Sequence, residues 1–319
     1  MTPQPWSCLI IDRMHPTIVP MLQEIGITVD YRPEIKLEEI KTLLPAYDGL
    51  IVRSKIKVNA EIIKEAHRLK FVARAGAGID NIEEAALAQR GIALFNAPEG
   101  NADAVGEFTV GLLLALFRNV VKADKEVRAY QWLREANRGE EIMGKTIGII
   151  GYGNMGRAFA RRLASFNCEV IAYDKDDGVT ADAHARLVDL PEIFAQADVL
   201  SLHIPFIPEN RHFADEAFFS AFAKKIWFLN TARGEIVDQE AVVNALKTGK
   251  LRGAALDVLE NEQLLTLTEV QKINFDFLAR ANNVILTPHI GGWSHQSYVK
   301  INQVLVQKIS HYMKHAAAS

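Results

Sequence analysis

The clearest structural signal in the chain is GKTIGIIGYGNMGRAFARRLASFNCEVIAYDK, residues 144–175. An apolar run typical of a buried strand leads into Gly151-x-Gly153-x-x-Gly156, and an amphipathic helix follows. In such a turn the first glycine permits the tight bend, the second lets a pyrophosphate approach the backbone, and the third lets helix and strand pack closely. The free N–H groups at the start of the helix attract phosphates. The stretch therefore predicts a dinucleotide-binding unit.

An acidic residue after the second predicted strand indicates which dinucleotide binds. Asp174 lies 18 residues after Gly156, at the end of EVIAY. A carboxylate at this point hydrogen-bonds the ribose 2′-hydroxyl and repels a 2′-phosphate, so we expect NAD rather than NADP. A glycine-rich turn with a purely structural role would not explain an acid at this distance.

Strand-like runs alternate with helical patterns along the whole chain, which predicts an α/β protein with two domains and parallel sheets. The boundary is expected near 96–102, a segment rich in Asn, Pro and Gly. The tail after Gly292 has a helical pattern that could cap either domain. The predicted strands are 7–12, 27–30, 49–53, 70–74 and 92–95 in the first set, and 146–150, 169–173, 198–203, 226–230, 253–258 and 283–287 in the second.

The segment from Ala104 to Val121 has apolar residues nearly all round. A helix of this kind is buried on every side. It lies inside one domain, or it bridges two domains or two subunits.

Composition narrows the class of protein. The 319 residues carry a net charge of −3 without a basic block, so we expect no nucleic-acid or membrane partner. The most apolar run, 110–117, is far shorter than the roughly 20 residues that a bilayer needs, and the N-terminus lacks the layout of a signal peptide. Cys8 and Cys168 are expected to be small core residues rather than a disulfide. These features favour a reducing, cytoplasmic setting.

Chemically capable side chains follow three strands of the second set. Arg233 comes after 226–230, Glu260 and Glu262 come after 253–258, and His289 comes after 283–287. Taken singly, an arginine or an acid in such a loop is usually a surface residue, and a histidine after Thr-Pro more often has a structural role. Because ligands bind beyond the carboxyl ends of parallel strands, their arrival at one edge beside a dinucleotide turn favours a catalytic role.

Hydride transfer to a 2-keto acid explains this set of side chains. The carbonyl oxygen gains negative charge, and a histidine can donate a proton to it near neutral pH. A neighbouring carboxylate favours the protonated ring and orients it. An arginine pairs with the substrate carboxylate and polarises the carbonyl. No metal is expected, because the histidines lack ligand spacing with cysteine or carboxylate partners.

The chain resembles the D-isomer-specific 2-hydroxyacid dehydrogenases over nearly its whole length, and among them most resembles the catalytic portion of the D-3-phosphoglycerate dehydrogenases. The resemblance implies catalytic roles for Arg233, Glu262 and His289, and it favours Glu262 over Glu260 by its interval after the arginine. The matching stretches are LIVRS (50–54), RAGAGIDNI (74–82), NAPEGNADAVGE (96–107), GKTIGIIGYGNMG (144–156), NTARGEIVD (230–238), GAALDVLENE (253–262) and TPHIGG (287–292).

The resemblance also implies the domain layout. Residues 1–99 and 291–319 form a discontinuous substrate-binding domain, and the NAD-binding Rossmann domain, 100–290, is inserted into it. Both domains are Rossmann-like or flavodoxin-like, and the cleft between them closes on the substrate. A homodimer through the 104–121 region is expected.

Further binding residues are implied in the same way. The substrate is expected at Arg53, Ser54, Ala77 and Gly78, with Arg233 and His289. For the cofactor, the resemblance adds to the glycine turn and Asp174 the following residues: Asn154, Met155, Ile204, Thr231, Ala232, Arg233, Asp257, His289 and Gly291.

Two departures from the family pattern bear on function. In the connection 259–283 the usual proline after the catalytic glutamate is absent, and the connection is longer than in the family. After TPHIGG, Trp293 occupies a position where a small polar residue is usual. The chain is expected to lack the serine-sensing regulatory domain of some relatives. The leading expectation is D-3-phosphoglycerate oxidation in serine biosynthesis. A glyoxylate/hydroxypyruvate reductase, another D-2-hydroxyacid dehydrogenase and an NAD-sensing corepressor remain as alternatives.

Overall fold

A computed structural model describes residues 5–316 of the protein. The first four and last three residues of the predicted substrate-binding domain, 1–4 and 317–319, lie outside the described residues. The chain forms two compact units. The terminal unit runs to Asn101 and resumes at Trp293, and the central unit is Ala102–Gly292. The sequence had placed the corresponding boundaries after residues 99 and 290.

The terminal unit is built on a five-stranded parallel sheet with strand order β2-β1-β3-β4-β5, a flavodoxin-like order. One face is closed by the long C-terminal helix, which buries Ile301, Leu305 and Ile309 against the sheet. The strands are β1 Ser7–Ile10, β2 Thr28–Tyr31, β3 Gly49–Val52, β4 Phe71–Arg74 and β5 Ala93–Asn96, and the helices are α1 Ile18–Glu24, α2 Leu37–Leu43, α3 Ala60–Ile63, α4 Glu84–Gln89 and α12 His295–Ala316.

The central unit is built on a seven-stranded parallel sheet with the order β12-β11-β10-β9-β6-β7-β8. Apolar clusters cover both faces, which is why these strands are nearly continuous apolar runs. The strands are β6 Thr146–Ile150, β7 Glu169–Tyr173, β8 Arg186–Leu187, β9 Val199–Leu202, β10 Ile226–Asn230, β11 Leu251–Leu256 and β12 Val284–Leu286. The helices are α5 Pro98–Phe117, which begins before the unit boundary, α6 Val120–Arg128, α7 Asn154–Leu163, α8 Leu190–Gln196, α9 Glu216–Ala221, α10 Gln239–Lys247 and α11 Glu269–Arg280.

The predicted fold class is confirmed: both sheets are parallel and belong to α/β layers. The order reverses between β6 and β9, and this is the point at which doubly wound sheets bind ligands. Strand β8 was not predicted, because two residues are too few to show a periodic pattern.

The apolar segment 104–121 departs from its prediction. Helix α5 ends at Phe117, Asn119 adopts a left-handed conformation with φ 52°, and α6 starts anew at Val120. Leu113 is fully buried, whereas Val120 is 53% exposed, so a single chain does not bury the segment on every side. By length and composition α5 could cross a membrane, and half of its apolar window is buried within the protein.

The two cysteines do not pair. Cys8 is buried in the terminal unit and Cys168 is partly buried in the central unit. Burial raises the pKa of both thiols, so neither is a ready nucleophile.

Candidate active site

Two glycines of the dinucleotide turn are required by packing. Gly151 follows β6 with φ +93°, and a Cβ at this position would lie 2.6 Å from the backbone of His203. A Cβ on Gly156 would lie 2.1 Å from the carbonyl oxygen of Gly151. Each position therefore excludes a side chain, and the bend brings the end of β6 directly to the start of α7.

The middle glycine has a different reason to be there. Gly153 precedes the first residue of α7, and a Cβ on it would meet no protein atom within 4 Å. Protein packing alone thus does not require glycine at this position. An unobstructed backbone before the first turn of the helix, at Asn154 and Met155, is what the close approach of a pyrophosphate requires.

Asp174 is held beside the same turn. Its carboxylate accepts hydrogen bonds from the amide of Tyr152 at 2.7 Å and from the amide of Asp176 at 3.0 Å. Each oxygen keeps acceptor capacity for a further donor. The acid therefore lies at the carboxyl end of β7, where a ribose hydroxyl can reach it.

Buried Asn230 shapes the loop that carries Arg233. The Asn230 side chain accepts from the amide of Ala232 at 3.0 Å and donates to the carbonyl of Arg233 at 3.0 Å. Thr231 is fixed on the other side by a 3.1 Å hydroxyl contact with buried Thr109. These bonds set the direction in which Arg233 leaves the end of β10.

Buried Asp257 shapes the loop that carries His289. Its carboxylate accepts bonds from the Thr287 hydroxyl at 2.6 Å, the Ile290 amide at 2.9 Å and the Gly291 amide at 2.7 Å. The His289 amide donates to the Asp257 carbonyl at 2.7 Å. This network holds His289 at φ +56°, a conformation that non-glycine residues adopt only where surrounding contacts enforce it.

His289 and Glu262 meet directly. Nδ1 of His289 lies 2.9 Å and 3.2 Å from the two carboxylate oxygens of Glu262. The contact fixes the ring and leaves Nε2 for proton exchange with a ligand. Both side chains are about half exposed, so the pair contributes little to stability, and a substrate can reach it.

The alternative acid has another partner. Glu260 contacts Nε2 of His212 through one carboxylate oxygen at 2.9 Å. His212, at φ +51°, also donates its backbone N–H to the carbonyl of Glu235 at 3.0 Å. His212 therefore links the loop after β11 to the loop after Arg233, a role that the sequence analysis missed.

A second histidine was also missed. His203 follows β9, its Nε2 lies 2.8 Å from the hydroxyl of buried Ser201, and its Nδ1 is buried without a hydrogen-bond partner in the described chain. Burial lowers the pKa of His203 to about 3, so the ring is neutral at physiological pH. An apolar strand ending in histidine was the available signal. Ile204, predicted to contact the cofactor, is the next residue and is partly buried.

The predicted substrate residues lie at strand ends of the terminal unit. Arg53 and Ser54 follow β3, and the amide of Arg53 donates to Asp12 at 2.7 Å. Ala77 and Gly78 follow β4, and within residues 5–316 no acceptor is found for either of their amides. Two successive amides without a protein acceptor are available to donate to an anionic group.

The central unit thus brings His289 and Glu262 into contact, and it places Arg233, Asp174 and the glycine turn after strands of the same parallel sheet. Asp257, predicted to contact the cofactor, is buried and supports the His289 loop. Among residues 5–316 no cluster of histidine, cysteine and carboxylate side chains has the makeup of a metal site.

Comparison with known proteins identifies related chains. Residues 110–291 match the family described as D-isomer specific 2-hydroxyacid dehydrogenase, NAD binding domain. The chain is 34% identical over 287 residues to hydroxypyruvate reductase of Thermotoga maritima, covering 90% of each protein. It is 33% identical over 314 residues to D-3-phosphoglycerate dehydrogenase of Methanocaldococcus jannaschii, covering 96% of this chain and 57% of that protein. The structure of a D-2-hydroxyisocaproate dehydrogenase superposes with a TM-score of 0.83 at 27% identity over 97% of both chains.

Proposed function

We propose that this chain, which belongs to the D-isomer specific 2-hydroxyacid dehydrogenases and is therefore an NAD-binding oxidoreductase, oxidises D-3-phosphoglycerate to 3-phosphohydroxypyruvate. The reaction would be the first step of serine biosynthesis. The proposal is supported by the His289–Glu262 contact at the end of the Rossmann sheet and by the cavity of the terminal unit that Arg53 lines.

His289 is the proposed acid–base catalyst. In the oxidative direction its Nε2 accepts the proton of the substrate 2-hydroxyl as the hydrogen on C2 departs as hydride. Bound NAD supplies the hydride acceptor. In the reductive direction the same nitrogen returns the proton to the carbonyl oxygen. Glu262 contacts Nδ1, so it keeps the ring oriented and stabilises the imidazolium that forms.

The substrate carboxylate has two proposed partners. Arg233 can bind it in a bidentate fashion and polarise the neighbouring carbonyl oxygen. The amides of Ala77 and Gly78 provide a second set of donors in the terminal unit. An arginine and backbone amides suit the part of the molecule that all 2-hydroxy acids share.

The observation that carries the choice of substrate is the environment of Arg53. Within the described residues its guanidinium forms no ion pair with a carboxylate, and it lines a cavity of about 410 Å³ to which Asp12, Glu34 and Lys55 also contribute. Arg13, another cation of the cavity, is already paired with Glu34 at 2.6 Å. A cation that is left unpaired in this way suits the phosphate at the far end of 3-phosphoglycerate.

A hydroxypyruvate or glyoxylate reductase is the second candidate. The Thermotoga maritima relative named hydroxypyruvate reductase matches along 90% of its length, whereas the chain spans about half the length of the phosphoglycerate dehydrogenases it matches. A corepressor that senses NAD is a more remote candidate, and any turnover of a keto acid would count against it.

Steady-state kinetics separate these candidates. We expect the protein to reduce 3-phosphohydroxypyruvate with a higher kcat/KM than hydroxypyruvate or glyoxylate. Arg53→Ala should raise KM for the phosphorylated acid about tenfold to a hundredfold, because a charge-assisted guanidinium–phosphate pair contributes roughly 1.5–3 kcal/mol. The matched control is Arg13→Ala, which removes an already paired cation from the same cavity. A wild-type preference for glyoxylate would reject the proposed substrate.

The remaining expectations belong to the same proposal. Asp174 favours NAD over NADP, and a titration in which NADPH binds as tightly as NADH would contradict this.

A homodimer through the 104–121 region is supported by exposed apolar residues there, such as Val120, and light scattering that gives a 35.5 kDa particle at micromolar concentration would oppose it. A cytoplasmic location fits the absence of a disulfide between the two cysteines.

A further inference from the structure

Trp293, the residue that departs from the family pattern, forms a stacked pair with Tyr298. The ring centroids are 6.1 Å apart and the planes are 23° from parallel. Ser294 caps α12 by accepting from the amide of Ser297 at 3.0 Å. Trp293 and Tyr298 therefore occupy the two positions of a hydrophobic staple, which fixes the direction in which the chain enters a helix.

The side chain of Arg53 contacts the same aromatic pair. The guanidinium carbon lies 4.2 Å from the centroid of the Trp293 ring and 5.4 Å from that of Tyr298. Tyr298 is held in turn by the bond from its hydroxyl to the carbonyl of Arg13 at 3.0 Å, and the ring of His15 packs edge-on at 5.6 Å. The aromatic surface under Arg53 is thus anchored at the start of α12 and at the loop after β1.

Stacking leaves the binding groups of Arg53 available. An aromatic ring contacts the face of a guanidinium, whereas the N–H donors lie in its plane and can engage an oxyanion. The cavity is also lined by Asp12, Glu34, Arg13 and Lys55. Arg13 pairs with Glu34, and the Lys55 amine donates to the backbone carbonyl of Ile35 at 3.3 Å, which fixes its position and leaves its charge. Among the cations of this cavity, Arg53 is the one that an aromatic pair contacts, and such a contact orients the guanidinium without neutralising it.

We infer that Trp293 and Tyr298 are positioning residues that hold Arg53 for the phosphate of a phosphorylated 2-hydroxy acid. Discrimination between phosphorylated and unphosphorylated acids then depends on the aromatic pair as well as on the arginine. This inference rests on the proposed function. The competing explanation is that Trp293 serves only as the staple of α12.

Two substitutions at one position separate these roles. Trp293→Leu keeps an apolar staple residue but removes the π face, and Trp293→Phe keeps both. We expect Trp293→Leu to raise KM for 3-phosphohydroxypyruvate about two- to fivefold, the size of an exposed cation–π contact. KM for hydroxypyruvate, kcat for both acids and the thermal unfolding temperature should change little. Trp293→Phe should restore most of the lost affinity.

The contrary results are equally specific. Equal changes of KM for both acids, or no change for either, would mean that Trp293 serves only as the hydrophobic staple of α12. Inorganic phosphate provides a probe that does not depend on the proposed substrate. It should compete with the keto acid in the wild type, and its inhibition constant should rise in Trp293→Leu.

The phosphate measurement distinguishes the two failures. If the wild type prefers hydroxypyruvate while phosphate inhibition still depends on Trp293, the proposed substrate is wrong and the positioning role stands. If phosphate neither inhibits the wild type nor alters its tryptophan fluorescence, the positioning role is refuted whatever the substrate.

Discussion

His289 and His212 each lie 2.9 Å from a glutamate of the same short segment, yet the two pairs differ in solvent exposure and in their links to the backbone. The His289–Glu262 pair is open to solvent on both sides, with side chains 44% and 49% exposed. In the His212–Glu260 pair the glutamate is only 20% exposed, and His212 is also tied to Glu235 through its backbone. One pair can exchange protons with a ligand, and the other joins two loops.

The comparison teaches that a histidine–carboxylate contact does not define a catalytic group. Both histidines have left-handed backbone conformations, and both contacts have the same length. The two pairs differ in which ring nitrogen of the histidine is left without a contact to the glutamate. Glu262 takes Nδ1 of His289 and leaves Nε2, whereas Glu260 takes Nε2 of His212. The difference can be tested by changing the two pairs in parallel.

The largest effect is expected for the histidines. His289→Gln should lower kcat for keto-acid reduction by about 10²–10⁴-fold, the usual contribution of a general acid–base group, while NADH binding stays near the wild-type value. His212→Gln, which keeps a donor for Glu260, should lose no more than about threefold. Stopped-flow or steady-state assays on the two variants give the answer. Equal losses would contradict the assignment of acid–base catalysis to His289 alone.

A smaller effect is expected for the glutamates. Glu262→Gln removes the charge that stabilises the imidazolium formed in the reaction, so kcat for keto-acid reduction should fall by roughly tenfold. Glu260→Gln is the matched control, and its kcat should stay near the wild-type value. If only the Glu260 variant lost activity, the catalytic role would pass to Glu260.

Much of this geometry could be predicted because it follows from strand ends. Arg233, Glu262 and His289 each come after an apolar run that does form a parallel strand, and parallel strands deliver their following loops to one edge. Residue types alone left Glu260 and Glu262 open, since they are two positions apart in one loop. The structure places Glu262 on His289.

The parts that could not be predicted depend on long-range contacts. His212 and Glu260 are 48 positions apart and belong to no shared periodic pattern. The stack of Arg53 on Trp293 joins the two ends of the chain, and only the folded terminal unit brings them together. The break at Asn119 was missed because composition reports apolarity and carries little information on where a helix bends.

A third, modest effect tests the loop-joining role of the second pair. His212→Ala removes the side-chain link to Glu260, so kcat should fall about threefold as the loops of Arg233 and Glu262 loosen. A double-mutant cycle with Glu260→Ala on thermal unfolding should give a coupling free energy of about 0.2–1 kcal/mol, typical of partly exposed pairs. Strictly additive losses would show that the two side chains do not act together.

The smallest effect on activity, and one visible only in stability, is expected at His203. Burial lowers its pKa in the folded protein from 6.5 to about 3. Between these values the unfolded chain binds a proton that the folded protein does not, so the free energy of unfolding decreases as the pH falls from about 6.5 towards 3. His203→Gln keeps a partner for the Ser201 hydroxyl and cannot titrate. Relative to the wild type it should gain about 1–3 kcal/mol between pH 7 and pH 4.5, with kcat at pH 7 nearly unchanged. Urea denaturation of both proteins at the two pH values measures this difference. A parallel loss in the two proteins would mean that the pKa of His203 is not lowered in the folded protein.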